Sequence, residues 1–389
     1  MLIGQEVAVV GAGIAGLAVA RALALRGARV TVFEQADAIR EVGAGLQVSP
    51  NGACVLRALG LGLDTVGLRA DAVELRDGLD GDLVTRLEVG RLRPLQGYHF
   101  VHRADLIGLL LAGAVEAGVS LRLQSRVAEV DLAGQRPLLR LEDGAVVEAG
   151  LLIGADGLHS RVRAALNGVA TPAFTGQVAW RAMIAGDGGP AVAEVHMGPG
   201  RHLVSYPLRG GSLRNIVAVQ ERQAWAAESW SQRDDPVALA QAFSDFTPRV
   251  QDWLGQVQDV ALWGLFRHPV AAVWQRALPG GAVAMLGDAA HPTLPFLAQG
   301  ASMGLEDAWV LAACLAGHDG WAAGLAAYQQ ARAARCARIV DAASRNARIY
   351  HLSGVARSLA HAGMRLGGWL APELALRRFD WLYGFDATV

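Results

Sequence analysis

The chain has 389 residues, enough for two domains sharing an interface, and its 35 basic and 36 acidic residues nearly cancel to a net charge of −1. That balance leaves neither a basic footprint for nucleic acid nor an acidic tail. Every basic residue is arginine, which excludes a phosphate-loop lysine, a Schiff-base lysine and a lysine general base.

Residues 7–10 are a short apolar run that enters Gly11-Ala12-Gly13-Ile14-Ala15-Gly16. An Ala/Leu-rich helix follows to about Arg26, then a β-branched strand over 30–33 that ends at Glu34. Gly11 serves a tight turn, Gly13 lets the backbone approach a pyrophosphate, and Gly16 lets the helix pack close on the strands. Glu34 lies 21 positions after Gly13, near the place of an acid that holds an adenosine ribose. A helix N-terminus in this position offers free N–H groups and a positive dipole end to phosphates. This pattern predicts dinucleotide binding and leaves NAD or FAD open.

Residues 36–46 are glycine-rich, and Pro50 after Ser49 starts a helix to about residue 59. Residues 68–95 read as short strands with Asp77-Gly78 and Asp80-Gly81 turns, an excursion from the first domain. His102-Arg103-Ala104-Asp105 opens a helix over 106–117, with Asp105 a capping residue of ambiguous register. Strands follow within 119–141 and 145–153, closing on Gly154-Ala155-Asp156-Gly157. Over 174–221 the pattern changes to alternation, with Arg209-Gly210-Gly211-Ser212 as a hairpin turn, which predicts an antiparallel sheet with one buried face. A helical stretch over 235–254 and strands near 260–266 come next. The apolar strand over 282–286 ends in Gly287-Asp288, and a helix over 302–315 follows a glycine-bearing loop. The remainder is mainly helical, with Arg332, Arg335, Arg338, Arg345, Arg348 and Arg357 set against only Asp341 and read as a solvated helix face.

The three cysteines, Cys54, Cys314 and Cys336, form no CxxC, which fits inert thiols in a reducing cytoplasm and predicts no metal site. Glu6 stands where a signal peptide needs a basic residue, and no apolar stretch is long enough to span a membrane.

Four separated signals combine: GAGIAG with Glu34, the Val101–Leu106 segment bearing Arg103, Gly154-Ala155-Asp156-Gly157-Leu158-His159-Ser160-Arg161-Val162-Arg163, and Gly287-Asp288-Ala289-Ala290-His291-Pro292 continuing through Gln299-Gly300-Ala301-Ser302 to Glu306-Asp307. In this order and spacing the chain resembles the single-component FAD-dependent aromatic hydroxylases. It is most similar to the 3-hydroxybenzoate 6-hydroxylase and salicylate hydroxylase branch, to which Trp180-Arg181, Tyr206-Pro207 and Ala298-Gln299-Gly300-Ala301 also point.

The resemblance implies an α/β fold with a Rossmann-type (GR2-like) FAD domain, discontinuous over 1–70, 98–170 and 275–345. A mainly antiparallel substrate domain over 71–97 and 171–274 is inserted into it, and a helical segment over 346–389 ends the chain. It also implies that Gly11, Gly13, Ala15, Gly16, Glu34, Gln35, Arg103, Val127, Asp156, Asp288, Gly300, Ala301 and Ser302 surround FAD. In that scheme Asp288 accepts from ribityl hydroxyls, Arg103 is a fixed cation, and Gly43-Ala44-Gly45 passes close to the flavin ring. The helix start at Gly300 faces the flavin edge that becomes negative on reduction.

The implied reaction uses NADH or NADPH and O2 to hydroxylate a small phenolic or hydroxylated N-heteroaromatic acid through a flavin C4a-hydroperoxide. The implied site residues are Gln299, Pro292, Tyr206 and His202. Ser205 is expected at a position where relatives place a phenol-contacting histidine, so Gln299, His202 or water would take the phenol proton. His291 is read as holding its loop, and Glu306-Asp307 as anchoring the following helix. The alternative is a flavoprotein of the same fold acting as an epoxidase, oxidase or reductase on a more lipophilic substrate. A homodimer surface with Trp369 and Trp381, or membrane docking, is a further reading of the C-terminal helices.

Overall fold

The β-branched runs on either side of the glycine loop lie at the centre of one sheet, seen in a computed structural model that describes residues 2–39, 44–93, 95–222 and 233–389. Its six strands run in the order Gln275–Leu278, Gly281–Met285, Leu151–Gly154, Glu6–Val10, Arg29–Phe33, Ser120–Arg122. All pairings are parallel except at the Gln275–Leu278 edge, with Val7 opposite both Leu151 and Val30. Parallel strands are covered on both faces, which is why Val9, Val32, Leu152 and Val283 are fully buried. The Ile14–Ala24 helix packs against the Gly300–Gly317 helix, and a Cβ on Gly304 would sit only 3.0 Å from the Ala15 methyl.

The second sheet has eight strands: Arg233–Asp234, Val260–Arg267, Ala173–Ala185, Leu213–Glu221, Arg201–Leu208, Val192–Gly198, Ala72–Asp77, Leu83–Leu87. It is antiparallel except where Ala72–Asp77 runs parallel to Val192–Gly198. One face carries Trp180, Leu203, Ile216 and Leu262 against Phe243 and Trp253 of a helical layer. The other face is turned towards the first domain.

Some local boundaries differ from the sequence reading. The stretch over 235–254 is two helices, Pro236–Ala242 and Pro248–Leu254, separated by a turn over 243–247, with Pro248 starting the second. The helix at Arg103–Glu116 starts three residues early: His102 caps it by accepting from the Ala104 N–H, while Asp105 binds Arg209.

The C-terminal arginines are not all a solvated face. Arg332 is fully buried between Glu306 and Asp307, and Arg335 chelates Glu306 and the carbonyls of Trp381 and Leu382. Arg338 stacks on Trp381 at 3.9 Å, leaving that indole half-buried, and Arg357 pairs with Asp77. Arg345 and Arg348 are exposed. Trp369 is also exposed, so Trp369 and Trp381 do not form one open patch. The Gly354–Leu370 helix is fastened to the Ala72–Leu87 hairpin by Arg357 and His361 on Asp77 and by Arg365 on Asp82.

Candidate active site

Between the two sheets lies a continuous cavity of about 2600 Å³. At one end it follows the glycine loop, where Gly11, Gly13, Ala15, Glu34, Gln35, Arg103, Val127 and Asp156 line it, and it passes Asp288, Gly300 and Ala301. At the other end His202, Val204 and Tyr206 face Pro292 and residues 293–298.

Each glycine of the loop has its own physical requirement. Gly11 has φ +100°, and a Cβ there would lie 2.4 Å from the Ala155 carbonyl oxygen. A Cβ on Gly16 would lie 2.0 Å from the Gly11 oxygen, so Gly16 sets helix packing and does not line the cavity. Gly13 is different: nothing lies within 4 Å of its Cβ position. Space is kept there beside a helix start, which is what a pyrophosphate needs. Glu34 accepts from the Ala12 N–H at 2.8 Å and the Ala36 N–H at 2.9 Å, which aims its carboxylate along the groove.

Asp156 accepts from the Ser160 hydroxyl and from the N–H groups of Arg161 and Val162, so it caps the turn rather than standing free. Burial pushes its pKa up, and those hydrogen bonds oppose the rise. Arg163, on the helix that follows, donates to the carbonyls of Ala289, Ala290 and Pro269. It thereby ties the GADG segment to the GDAAHP loop, a link the sequence motifs did not reveal.

Asp288 makes no hydrogen bond among the described residues and is exposed only to the cavity that walls it in. Enclosure raises its pKa, against the positive fields of His291, Arg103 and His268. An unpartnered carboxylate beside the Gly300 helix start and the open space over Gly13 fit the ribityl and pyrophosphate parts of FAD. The free N–H groups at the start of that 18-residue helix fit the electron-rich edge of its ring. The loop at 43–45 falls partly outside the described residues. At Gly45 the close neighbours are Tyr206 and Asn215, each within 2.8 Å of a Cβ position, and the Gly45 N–H donates to Asn215.

Three of the anticipated side chains are bound to other side chains. Gln299 is 1% exposed, donates to Ser49 and accepts from Asn51, which also donates to Glu306. Its amide joins the Pro50–Ala58 helix to the Gly300–Gly317 helix, and the residue also lines the cavity. Ser302 is fully buried, with its hydroxyl 3.2 Å from that of Ser49, so only its backbone N–H is available to a cofactor. Ser205 is also on the wrong face. Alternation along Arg201–Leu208 puts His202, Val204 and Tyr206 on the cavity, while Ser205 accepts from Arg214 under the helical layer.

His291, Asp307 and Cys336 have ligand atoms within 4.8 Å of one another, but they make no metal centre. The Arg332 guanidinium already occupies the cluster, 2.7 Å from Asp307 and 3.4 Å from the Cys336 sulfur, and would repel a second cation. Burial alone would lower the His291 pKa, but Cys336 and Asp307 raise it well above its ordinary value of 6.5. Asp307 is pushed far down by His291 and Arg332 despite burial. His291 and Asp307 are therefore a structural ion pair under the loop.

On the substrate side, Arg181 lies 4.3 Å over the Trp263 ring and its charge is felt at Tyr206. The Tyr206 ring packs on Phe100 at 5.2 Å, and burial keeps its hydroxyl protonated. His202 is 2% exposed and packs among Tyr350, Phe296 and His351. Burial, then the charge of His351, lowers its pKa well below 6.5, so it is a neutral imidazole. Tyr350 and His351 have no local sequence signal, since they come from an element far along the chain, and Arg181 was marked only by the Trp180-Arg181 resemblance.

Comparison with known proteins gives the same assignment. A family model described as FAD binding domain matches residues 5–343. A 3-amino-4-hydroxybenzoate 2-monooxygenase of Streptomyces platensis is 34% identical over 98% of this chain and 96% of its own. A 3-hydroxybenzoate 6-hydroxylase of Polaromonas naphthalenivorans is 34% identical over the same shares. Among solved structures, Klebsiella pneumoniae HpxO complexed with FAD and uric acid superposes with a TM-score of 0.83 at 25% identity, over 95% of each chain. A salicylate hydroxylase substrate complex, 24% identical over 99% of this chain and 96% of that one, shares the fold with a TM-score of 0.81. The chain belongs to the FAD-binding-domain family. It is a flavoprotein aromatic monooxygenase, with FAD as its cofactor.

Proposed function

We propose that this enzyme hydroxylates a small phenolic or hydroxylated N-heteroaromatic acid by the overall reaction Ar–H + NAD(P)H + H⁺ + O2 → Ar–OH + NAD(P)⁺ + H2O. The observation that carries the reading is the neutral His202 imidazole, on the same strand face as Tyr206 and opposite Pro292, in the cavity that also holds the dinucleotide groove. When bound, FAD accepts hydride from the nicotinamide and activates O2 for transfer of one oxygen atom. His202 accepts the proton of the ring hydroxyl, which makes the ring more electron-rich and attackable. Tyr206, still protonated, donates a hydrogen bond that orients the substrate, and Arg181 supplies a positive field for its acid group. Pro292 and residues 294–297 close the opposite wall and keep water from the reacting atoms.

In this scheme residues 1–70, 98–170 and 275–345 carry FAD, and 71–97 with 171–274 supply the substrate wall. The chain shows no second βαβ glycine motif, which supports transient docking of the nicotinamide. Among the described residues no helix is long and apolar enough to cross a membrane. The cysteine usage supports a cytoplasmic setting, and the exposed Val355, Leu359 and Trp369 support a homodimer surface.

Val73, Leu75, Leu87, Val195 and Met364 line the chamber beyond Val204, which favours a second reading in which the ring carries an apolar substituent. A panel of hydroxybenzoates, aminohydroxybenzoates, salicylate and hydroxynicotinates, with alkyl-bearing analogues, tests both. Flavin spectral perturbation, stimulated NADH or NADPH oxidation and a product heavier by one oxygen are expected from at least one member. Reductant consumption with no oxygenated product from any member would overturn the assignment.

A further inference from the structure

His202 does not end at the cavity wall. Its Nδ1 is 2.7 Å from Nε2 of His351, the residue that follows the Trp321–Tyr350 helix. The Nδ1 of His351 is in turn 2.8 Å from Oε1 of Glu221. Glu221 ends the Leu213–Glu221 strand, and its side chain is 54% exposed while that of His351 is 2% exposed. Three side chains from three elements thus form an unbroken line from the chamber to the surface. The backbone holds the line in register: the Gly200 N–H donates to the His351 carbonyl, and the Glu221 N–H donates to the Gly200 carbonyl.

The chemistry of the outer carboxylate sets the direction of every bond in the line. An ionised Glu221 can only accept, so His351 must carry its proton on Nδ1 and leave Nε2 as an acceptor. His202 must then donate from Nδ1, which leaves its Nε2, the remaining ring nitrogen of a residue that lines the cavity, as a free base. Among the described residues, no other hydrogen bond fixes these tautomers. The apolar and aromatic neighbours Phe296 and Tyr350 contribute no charge that could do so.

We infer that His202, His351 and Glu221 form a proton exit from the substrate chamber, with His202 as the group that touches the substrate and the other two as positioning and relay residues. The inference rests on the assignment of His202 to the substrate hydroxyl. When the ring O–H bond breaks, its proton forms a new N–H bond on His202 Nε2 and the electron pair stays on the phenolate oxygen. The His202 Nδ1 proton moves to His351 Nε2, the His351 Nδ1 proton moves to the Glu221 carboxylate, and Glu221 releases it to solvent. Neither imidazole is left charged, which matters because burial disfavours the imidazolium form of both histidines; the one charge that stays in the chamber is the phenolate. Among the described residues, the titratable side chain packed against this line is Tyr350, held protonated with a pKa of about 12.

The test compares FAD-loaded wild type with the Glu221→Gln and Glu221→Asp variants. In one arm, ¹⁵N spectra of the histidine rings are recorded without ligand. The expectation is that Glu221→Gln moves the ring-nitrogen signals of both His351 and His202, and that Glu221→Asp restores them. A change confined to His351 would overturn the relay. In the other arm, 3-amino-4-hydroxybenzoate and 3-hydroxybenzoate are bound to the oxidised enzyme and the appearance of phenolate absorbance is followed after a pH jump. Phenolate formation is expected to be about tenfold slower in Glu221→Gln, with no comparable change in thermal unfolding. Equal rates would overturn it. If neither probe perturbs the wild-type flavin spectrum, the member of the panel that does replaces them; if none does, the substrate assignment fails and the imidazole signals alone decide the relay.

Discussion

Oδ2 of Asp307 is shared by the His291 imidazole and the Gly287 N–H, while Oδ1 accepts from Arg332. One buried carboxylate therefore holds the loop that presents Asp288 to the cofactor groove and fastens it to the long Trp321–Tyr350 helix. A pair of this kind is strongly felt when one partner is removed, since the other charge is left buried.

Asp307→Asn is expected to cost about 3–5 kcal/mol of stability, the range for breaking a buried pair, with a drop in bound FAD. The pH dependence follows from the two shifts. His291 is raised in the folded state, so its contribution is fully present below about pH 6.5 and is lost as pH rises towards the folded value. Asp307 is depressed, so its contribution is present above about pH 3.8 and is lost only as pH falls through the folded value. Denaturant midpoints measured between pH 5 and 9 are expected to fall on the alkaline side in wild type and to flatten there in His291→Gln.

Gly13→Ala and Gly16→Ala should separate cofactor binding from folding. The first adds a methyl to open space at an ordinary backbone angle, so the apoprotein keeps its unfolding temperature while FAD affinity falls at least about tenfold, or 1.4 kcal/mol. The second drives a Cβ into the Gly11 carbonyl and is expected to lower the apoprotein's stability itself. Calorimetry of both apoproteins with FAD titration checks the contrast; equal unfolding temperatures for the two would refute it.

Asp288→Asn removes a carboxylate that has no hydrogen-bond partner and that its enclosure disfavours. The apoprotein is expected to be as stable as wild type or more so. FAD binding should weaken by about 1.5–3 kcal/mol, the worth of hydrogen bonds to a charged acceptor. Flavin fluorescence titration measures the loss.

Gln299→Leu removes one hydrogen-bond partner each from the buried Asn51 and Ser49, at about 1–3 kcal/mol. Because the amide braces a helix start through Ser49 and Asn51, flavin reduction and product formation should decline together. Stopped-flow measurement of the two half-reactions decides this: a selective loss of hydroxylation would return Gln299 to a chemical role.

Much of the dinucleotide half was legible in the sequence because its requirements are local. The turn at Gly11, the close packing at Gly16, the open space at Gly13 and the strand-end position of Asp288 all follow from residues adjacent in the chain. Strand alternation likewise announced the second sheet, since a half-buried antiparallel strand exposes every other residue to one face.

The phase of that alternation was decided only by packing. Leu203 and Ser205 pack towards the helical layer around Phe243 and Trp253, which turns His202, Val204 and Tyr206 to the cavity. A one-residue change of phase reverses every such assignment, and no single strand contains the information. The same holds for charge. Arg332 and Arg335 look like surface residues on a basic helix until Glu306 and Asp307, more than twenty positions earlier, are brought against them. Gln299, His351 and Glu221 take their roles from partners up to 250 positions away, because hydrogen bonds act over about 3 Å of space and are indifferent to distance along the chain.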